Sequence, residues 1–146
     1  MAVVLQHIPT EDAPKWWPTL GGFVNKAARR YRKDYHLDDM RQAIFDGDAA
    51  LFGVFVNSAP MAAIVTSEMI YPKRDIMMIE LVGGSEMRLW FDDAIDQLTD
   101  FAQAGGYHAI ISQARLGWRD WAKRAKFKQV SAVYERGLMG DNDGAK

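Results

Sequence analysis

The sequence predicts an α+β domain with a mixed, mostly antiparallel sheet. Its apolar patterns follow the order strand, two helices, two strands, a strand–helix pair, strand, helix, strand. In the strand–helix pair, an apolar run from Ile76 to Val82 ends in Gly83-Gly84-Ser85 and passes directly into an amphipathic helix, which stops at Gly105-Gly106. A helical connection makes the two flanking strands parallel, whereas short turns make the other neighbours antiparallel. We expect about six or seven strands and about four flanking helices.

The N-terminal elements have clear local signals. Val3 to Ile8 is a short strand candidate that ends at Pro9. Thr10, followed by acidic residues, has the pattern of a capped helix start. We expect Pro18 to kink or break this helix before its apolar spacing resumes. A second helix is predicted from Leu37 to Phe45.

The remaining strands and the last helix are predicted from alternation and turn residues. Leu51 to Val56 and Met61 to Ile70 are separated by a short turn, which favours an antiparallel hairpin. After the central helix we expect a strand from His108 to Gln113, a short helix from Gly117 to Lys126 and a last strand from Val130 to Leu138.

Composition limits the class of protein. The 146 residues predict a single domain over 1–138, followed by a polar tail at 139–146 that we expect to be disordered. The absence of cysteine excludes disulfides, thiolate metal ligands and a cysteine nucleophile, and the net charge of −1 predicts no general attraction to nucleic acid. No apolar run approaches the ~20 residues that span a bilayer. We therefore expect a soluble protein, cytoplasmic or, if encoded by a phage, associated with the virion.

The element order and two local segments resemble the GNAT N-acetyltransferase superfamily. The first segment is Asp46-Gly47-Asp48 leading into the strand that starts at Leu51, and the second runs from Trp121 to Val130. In the family the second segment usually contains Gly-Phe, and Lys126 stands in the place of that glycine. The resemblance covers Val3 to Leu138. It implies the GNAT fold, N-acyl transfer and acetyl-coenzyme A as cofactor.

The resemblance also implies a cofactor loop. Family members usually carry Gln/Arg-x-x-Gly-x-Gly/Ala between the fourth strand and the central helix, where backbone N–H groups hold the coenzyme A pyrophosphate. The strand–turn–helix pattern independently predicts an anion-binding site, because a helix N-terminus presents unpaired N–H groups. Glu86 adds a negative charge to this loop. The cofactor-binding candidates are Leu81, Val82, Gly83, Gly84, Ser85, Met87 and Arg88.

Glu80 is the catalytic candidate. It interrupts an apolar strand near the position where some family members keep a general base. Alternatively, Glu80 faces solvent or caps a neighbouring element. Family members often place a proton-donating tyrosine five residues before the Phe of Gly-Phe, and the matching residue here is Ala122. The histidines lie far apart and predict no metal site.

Two basic patches, at Lys26–Lys33 and Arg115–Lys128, are candidates for binding an acidic protein partner. Phosphates of coenzyme A are another partner for the second patch, and a solvated helix face is the simplest explanation of both. Nucleic acid and membrane are not expected partners.

Two functions remain open. The first is an acyl-coenzyme A-dependent N-acyltransferase of unknown acceptor. The second is a catalytically degenerate GNAT-fold binding or structural protein, similar to small virion and accessory proteins of tailed phages with eroded cofactor loops. Most proteins with this fold are acyltransferases, which favours the first function, whereas Glu86, Ala122 and Lys126 depart from the family pattern and favour the second.

Overall fold

A computed structural model describes residues 2–31, 37–114 and 118–139. Its sheet has five strands in the order β1-β2-β3-β4-β5. The strands are β1 (Val3–Ile8), β2 (Ala50–Val56), β3 (Ala59–Ile70), β4 (Asp75–Gly84) and β5 (Ala109–Ser112). The helices are α1 (Ala13–Ala28), α2 (Leu37–Asp46), α3 (Met87–Ala104) and α4 (Arg119–Arg124), with 3-10 turns at Thr10–Asp12 and Arg29–Tyr31.

The topology confirms the predicted fold class. Strands β1 to β4 form consecutive antiparallel pairs, and β5 joins β4 as a parallel neighbour after α3. The β2–β3 hairpin turns at Asn57 and Ser58, which both have the positive φ that a two-residue hairpin turn requires. The described residues form five strands, fewer than the six or seven predicted. None of their helices has the length and hydropathy needed to cross a bilayer.

The sheet separates two hydrophobic cores. Residues of α1 and α2, among them Leu20 and Val24, pack on one face together with Leu81 of β4. Residues of α3, among them Trp90 and Leu98, pack on the other face together with Ile79. Full burial of such side chains stabilises the fold by about 1.5–3 kcal/mol each.

The outer strand β1 is held by α3. The Gln97 side chain accepts a hydrogen bond from the Leu5 backbone N–H at 2.7 Å and donates one to the Val3 carbonyl at 2.7 Å. One amide group therefore satisfies two of the backbone groups that an edge strand would otherwise leave open to another chain.

Helix α1 continues through Pro18, which corrects the expected break. Proline in a helix interior costs about 3 kcal/mol, because it lacks an N–H group and crowds the preceding turn. Burial of Leu20 and Val24 on the sheet offsets that cost.

The predicted last strand, Val130 to Leu138, is wrong. Described residues 127–139 form neither strand nor helix, and Tyr134 and Leu138 are 93% and 84% exposed. Alternating apolar residues favour an extended backbone, but a strand forms only when its backbone pairs with a neighbour. Strand β5 pairs with β4 over four residues, and segment 127–139 does not join β5.

Some predicted features lie outside the described residues. These are the tail at 140–146, Arg32 and Lys33 of the first basic patch, and residues 115–117 at the start of the second patch and of the last predicted helix. The remaining basic residues that are described on α1 and α4 are exposed.

Lys126 follows α4 with φ of +67°, in the left-handed region that favours glycine. Lys126 thus holds a conformation suited to glycine at the position where the GNAT resemblance implies one. Its N–H donates to the Lys123 carbonyl at 3.1 Å, and that of Phe127 donates to the Ala122 carbonyl at 2.9 Å, which together close the helix end.

We predict that Lys126→Gly raises the free energy of unfolding by about 0.5–1 kcal/mol, because glycine avoids the left-handed penalty at some cost in chain entropy. Chemical denaturation measures the change. Lys126→Ala removes the same charge but keeps the Cβ, and it should give no stabilisation. Equal gains from both variants would contradict the backbone explanation.

Candidate functional site

Strand β4 contains one residue more than its partner requires. The register pairs Val65 with Leu81 but Thr66 with Ile79, which leaves Glu80 as the extra residue of a β-bulge. Ile79 packs in the core beneath α3, whereas Leu81 packs in the core beneath α1. The bulge therefore reverses the alternation of side chains along β4.

A cleft opens between β4 and β5 at this bulge. The pairing of these two strands runs from Ile76↔Ala109 to Ile79↔Ser112 and stops one residue before Glu80. Beyond that point the outer backbone edge of β4 faces the cleft rather than another described strand. The walls comprise Ala27, Arg30, Ile79, Glu80, Leu81, Val82, Ser112, Gln113, Ala114 and Trp118. An exposed strand edge of this kind can pair with an amide-containing ligand.

Glu80 lies at the point where the strands separate. Its side chain is half-buried, and its Oε2 accepts a hydrogen bond of 2.5 Å from the Ser67 hydroxyl of β3. A hydrogen bond this short is typical of a hydroxyl that donates to a carboxylate. The structure thus gives Glu80 a hydrogen-bond partner on a neighbouring strand, while Glu80 also lines the cleft.

The first two cofactor-binding candidates, Leu81 and Val82, line the cleft. The glycines that follow are required by packing inside the protein. A Cβ on Gly83 would overlap the Phe23 carbonyl of α1, and one on Gly84 would overlap Ala62 of β3. Neither glycine has a positive φ. Both therefore permit close approach of protein elements.

Ser85 is also occupied by internal contacts. Its N–H donates to the Met61 carbonyl at 3.3 Å, and its carbonyl accepts from the Trp90 indole N–H at 2.7 Å. These bonds fix the turn between β4 and α3, and they leave the Ser85 backbone N–H already engaged. Because the Ser85 N–H is engaged, the N–H groups that would bind an anion must come from the first turn of α3.

The N-terminus of α3 carries opposing charges. Leu89 makes the first helical hydrogen bond, to the Glu86 carbonyl at 2.9 Å, which leaves the N–H groups of Met87 and Arg88 in the first turn without intrahelical acceptors. Glu86 has φ of +53° and places a carboxylate at this end. The Lys26 ammonium of α1 donates a hydrogen bond of 3.4 Å to the Gly84 carbonyl, three residues before the first residue of α3. The lysine favours a bound anion, and the glutamate opposes it.

Helix α4 carries Ala122 at the position where the GNAT resemblance implies a proton-donating tyrosine. Ala122 is half-buried there, whereas Trp118 and Trp121 pack their rings against Phe91 at 5.6 and 5.2 Å between centroids. Arg124 stacks on Trp121 at 4.8 Å and pairs with Asp92 of α3 at 3.1 Å. This face of α4 therefore holds the helix in place.

Sequence reasoning missed Ser67. A signal for it exists in the hairpin of β3 and β4, because antiparallel pairing about a turn near 71–74 brings Ser67 opposite Met78. The bulge then brings Glu80 within reach of the Ser67 hydroxyl. Among described residues, the structure brings together Glu80, Leu81 and Val82 in the cleft and places Met87 and Arg88 beyond its end.

No protein-family model matches the sequence, and no curated protein matches it. Solved structures do. The aminoglycoside N-acetyltransferase AAC(6')-Iy in complex with CoA aligns with a TM-score of 0.67 at 11% identity, over 94% of this chain and 95% of its own. An aminoglycoside acetyltransferase from an uncultured soil metagenomic sample aligns at 0.63 and 12%, over 93% and 97% respectively. The ribosomal-protein-alanine N-acetyltransferase of Brucella melitensis biovar Abortus 2308 aligns at 0.62 and 15%, over 97% and 100%.

These alignments confirm that the chain has the GNAT acetyltransferase fold. They cover nearly the full length of both chains in each comparison, and the identities of 11–15% carry the likeness at the level of the fold.

We predict that Gly83→Ala lowers the free energy of unfolding by about 2–3 kcal/mol, because its Cβ must displace the α1 backbone. Denaturant titration measures the loss. The matched control is Gly22→Ala in α1, where an added Cβ meets nothing within 4 Å and should stabilise the helix by about 0.5–1 kcal/mol. A neutral Gly83→Ala would contradict the packing role.

Proposed function

We propose that the protein is an acyl-coenzyme A-dependent N-acyltransferase that acts on an amine. The observation that carries this proposal is the cleft at the β4 bulge. There a carboxylate, Glu80, lies at the branch point of two parallel strands, and the same strand leads into the N-terminus of α3.

The residues present fit the two chemical ends of coenzyme A unequally. The open backbone edge at Leu81 and Val82 suits the amide groups of the pantetheine arm. The N–H groups of Met87 and Arg88, with Lys26 nearby, suit its phosphates. The packed glycines and Glu86 make the phosphate end the weaker one. Coenzyme A would supply the acyl group as a thioester.

Glu80 would accept the proton of the attacking amine, directly or through one water. The acyl group would pass from the thioester sulfur to the amine nitrogen, and, because Ala122 supplies no proton, water would carry the proton taken by Glu80 to the leaving thiolate. Ser67 would orient the Glu80 carboxylate through its hydrogen bond.

The structural neighbours support an amine acceptor in general terms. The names of two describe acetyltransferases of aminoglycosides, and that of the third describes acetylation of alanine in a ribosomal protein. Two of the three names specify N-acetylation, and the named acceptors belong to different chemical classes. We therefore propose the reaction class and acetyl-coenzyme A as donor.

A second candidate is a binding or structural protein that keeps the fold without the activity. The internal use of Gly83, Gly84 and Ser85, together with the acidic Glu86, favours it. The exposed basic residues on α1 and α4 would then bind an acidic protein partner. This candidate differs from the first in having no affinity for coenzyme A.

Titration with acetyl-coenzyme A distinguishes the two candidates. With micromolar affinity, a millimolar concentration should stabilise the protein by about 4 kcal/mol, measured by thermal and chemical denaturation. Glu86→Gln removes the opposing charge and should tighten binding by about twofold to fivefold. Glu11→Gln, in the distant turn before α1, is the matched control and should leave affinity unchanged. Absence of any stabilisation would exclude the enzyme.

Replacement of Glu80 tests the proton transfer. Glu80→Gln should reduce thiol release from acetyl-coenzyme A in the presence of a panel of primary amines by about 100-fold or more, with cofactor affinity retained. Ser67→Ala should reduce kcat by about tenfold, because it frees the carboxylate to rotate. Glu11→Gln should retain the full rate. Turnover by Glu80→Gln at the wild-type rate would remove Glu80 from the mechanism.

A further inference from the structure

A second cavity, of about 290 Å³, lies at the opposite end of the domain from the cofactor loop. Strand β2 begins at Ala50, opposite Thr66, and β3 continues past it. The loop after α2, the end of β1 and the C-terminal part of α3 close the space beside Ser67 and Glu68. Phe101 in its wall is fourteen positions from the first residue of α3, or about 21 Å along the helix.

Aromatic rings form one wall of this cavity. His7, Phe52 and Phe101 contact one another, with each pair of ring centroids 5.1–5.2 Å apart. Tyr107, which follows α3, also lines the space. Phe52 is fully buried and anchors the group, whereas Phe101 is 40% exposed. The faces of such rings attract cations through their quadrupoles.

The charge of the cavity is negative. Among the described residues that line it are the carboxylates of Asp48 and Glu68, and none of them is lysine or arginine. Burial lowers the pKa of His7, which leaves the ring uncharged at neutral pH. Burial, and then a hydrogen bond and the charge of Glu68, raise the pKa of Tyr107 to about 12. Tyr107 therefore stays a neutral donor to Glu68, and the two carboxylates determine the local charge.

We propose that this cavity binds a small organic cation, with its ammonium group near Asp48 and Glu68 and its alkyl groups against Phe101 and Tyr107. Carboxylates together with aromatic faces complement a charged, partly apolar ligand in a way that neither does alone. Strands β1, β2 and β3 supply His7, Phe52 and Glu68, and helix α3 supplies Phe101, whereas Asp48 and Tyr107 lie in the adjoining connections. The proposal does not require coenzyme A binding, although the two sites are linked through Ser67, which lines this cavity and also bonds to Glu80.

Choline and its uncharged isostere 3,3-dimethylbutan-1-ol test the proposal on the full chain by calorimetric or NMR titration. We expect saturable binding of choline, with the isostere at least about tenfold weaker because it lacks the charge. Asp48→Asn and Glu68→Gln should each weaken choline binding by about threefold to fivefold. Phe101→Leu, which keeps an apolar side chain, should weaken it by about threefold.

The matched control is Asp120→Asn on α4, which makes the same charge change at an exposed position beside the other end of α3. It should leave choline affinity unchanged. Equal binding of choline and its isostere, no saturable choline binding, or the same loss in Asp120→Asn as in Asp48→Asn would each overturn the proposal. If Glu68→Gln fails to fold, Asp48→Asn still tests the role of the carboxylates, because it keeps the hydrogen bond between Tyr107 and Glu68. Acetyl-coenzyme A titrations of the same variants should match wild type, which separates this site from the proposed function.

Discussion

The inserted Glu80 gives β4 one residue more than β3 within the stretch where the two strands pair, and the backbone has to bend and twist to accommodate it. That local distortion has three consequences. It moves Leu81 to the core beneath α1, it ends the pairing with β5 at Ile79, and it turns a carboxylate toward the space that opens. The Ser67 hydroxyl holds the carboxylate in place. The cleft and its only described acidic side chain thus have one common origin.

The two glycines after this bulge show how a sequence signal can indicate the correct place for a different physical reason. A strand that passes through glycines into a helix suggests a phosphate cradle. Here Gly83 lets α1 pack closely on the sheet, and Gly84 lets Ala62 of the neighbouring strand β3 pack closely against β4. The residue of the turn with a left-handed backbone is Glu86. The glycines nevertheless mark where the cleft ends, because they directly follow Val82, the last residue of β4 in the cleft wall.

Strong periodicity made most of the fold predictable. The stripe that begins at Met87 predicted α3 almost to its ends, and β1 was predicted at its observed bounds. The bulge was not predictable from the sequence, because the residues around it are apolar on both faces of the strand and show no alternation that a bulge would visibly shift. Glu80 was recognisable only as a polar residue within an apolar run. The expected break at Pro18 and the predicted strand from Val130 to Leu138 both failed, for different tertiary reasons. Local preference was outweighed in the first case by helix burial on the sheet, and in the second was not matched by a pairing partner.

The energetic demand on a cofactor site shows where binding must come from. Micromolar affinity requires about 8 kcal/mol net, whereas a helix N-terminus supplies about 0.3–1 kcal/mol per charge and a hydrogen bond about 0.5–1.5 kcal/mol. The N–H groups of Met87 and Arg88 with Lys26, opposed by Glu86, cannot reach that sum alone. Most of the binding energy would have to come from the open edge of β4 and the apolar cleft wall. A variant that loses the bulge should pair β4 with β5 further along and so close the open edge. Such a variant should therefore lose more affinity for coenzyme A than any substitution in the loop between β4 and α3.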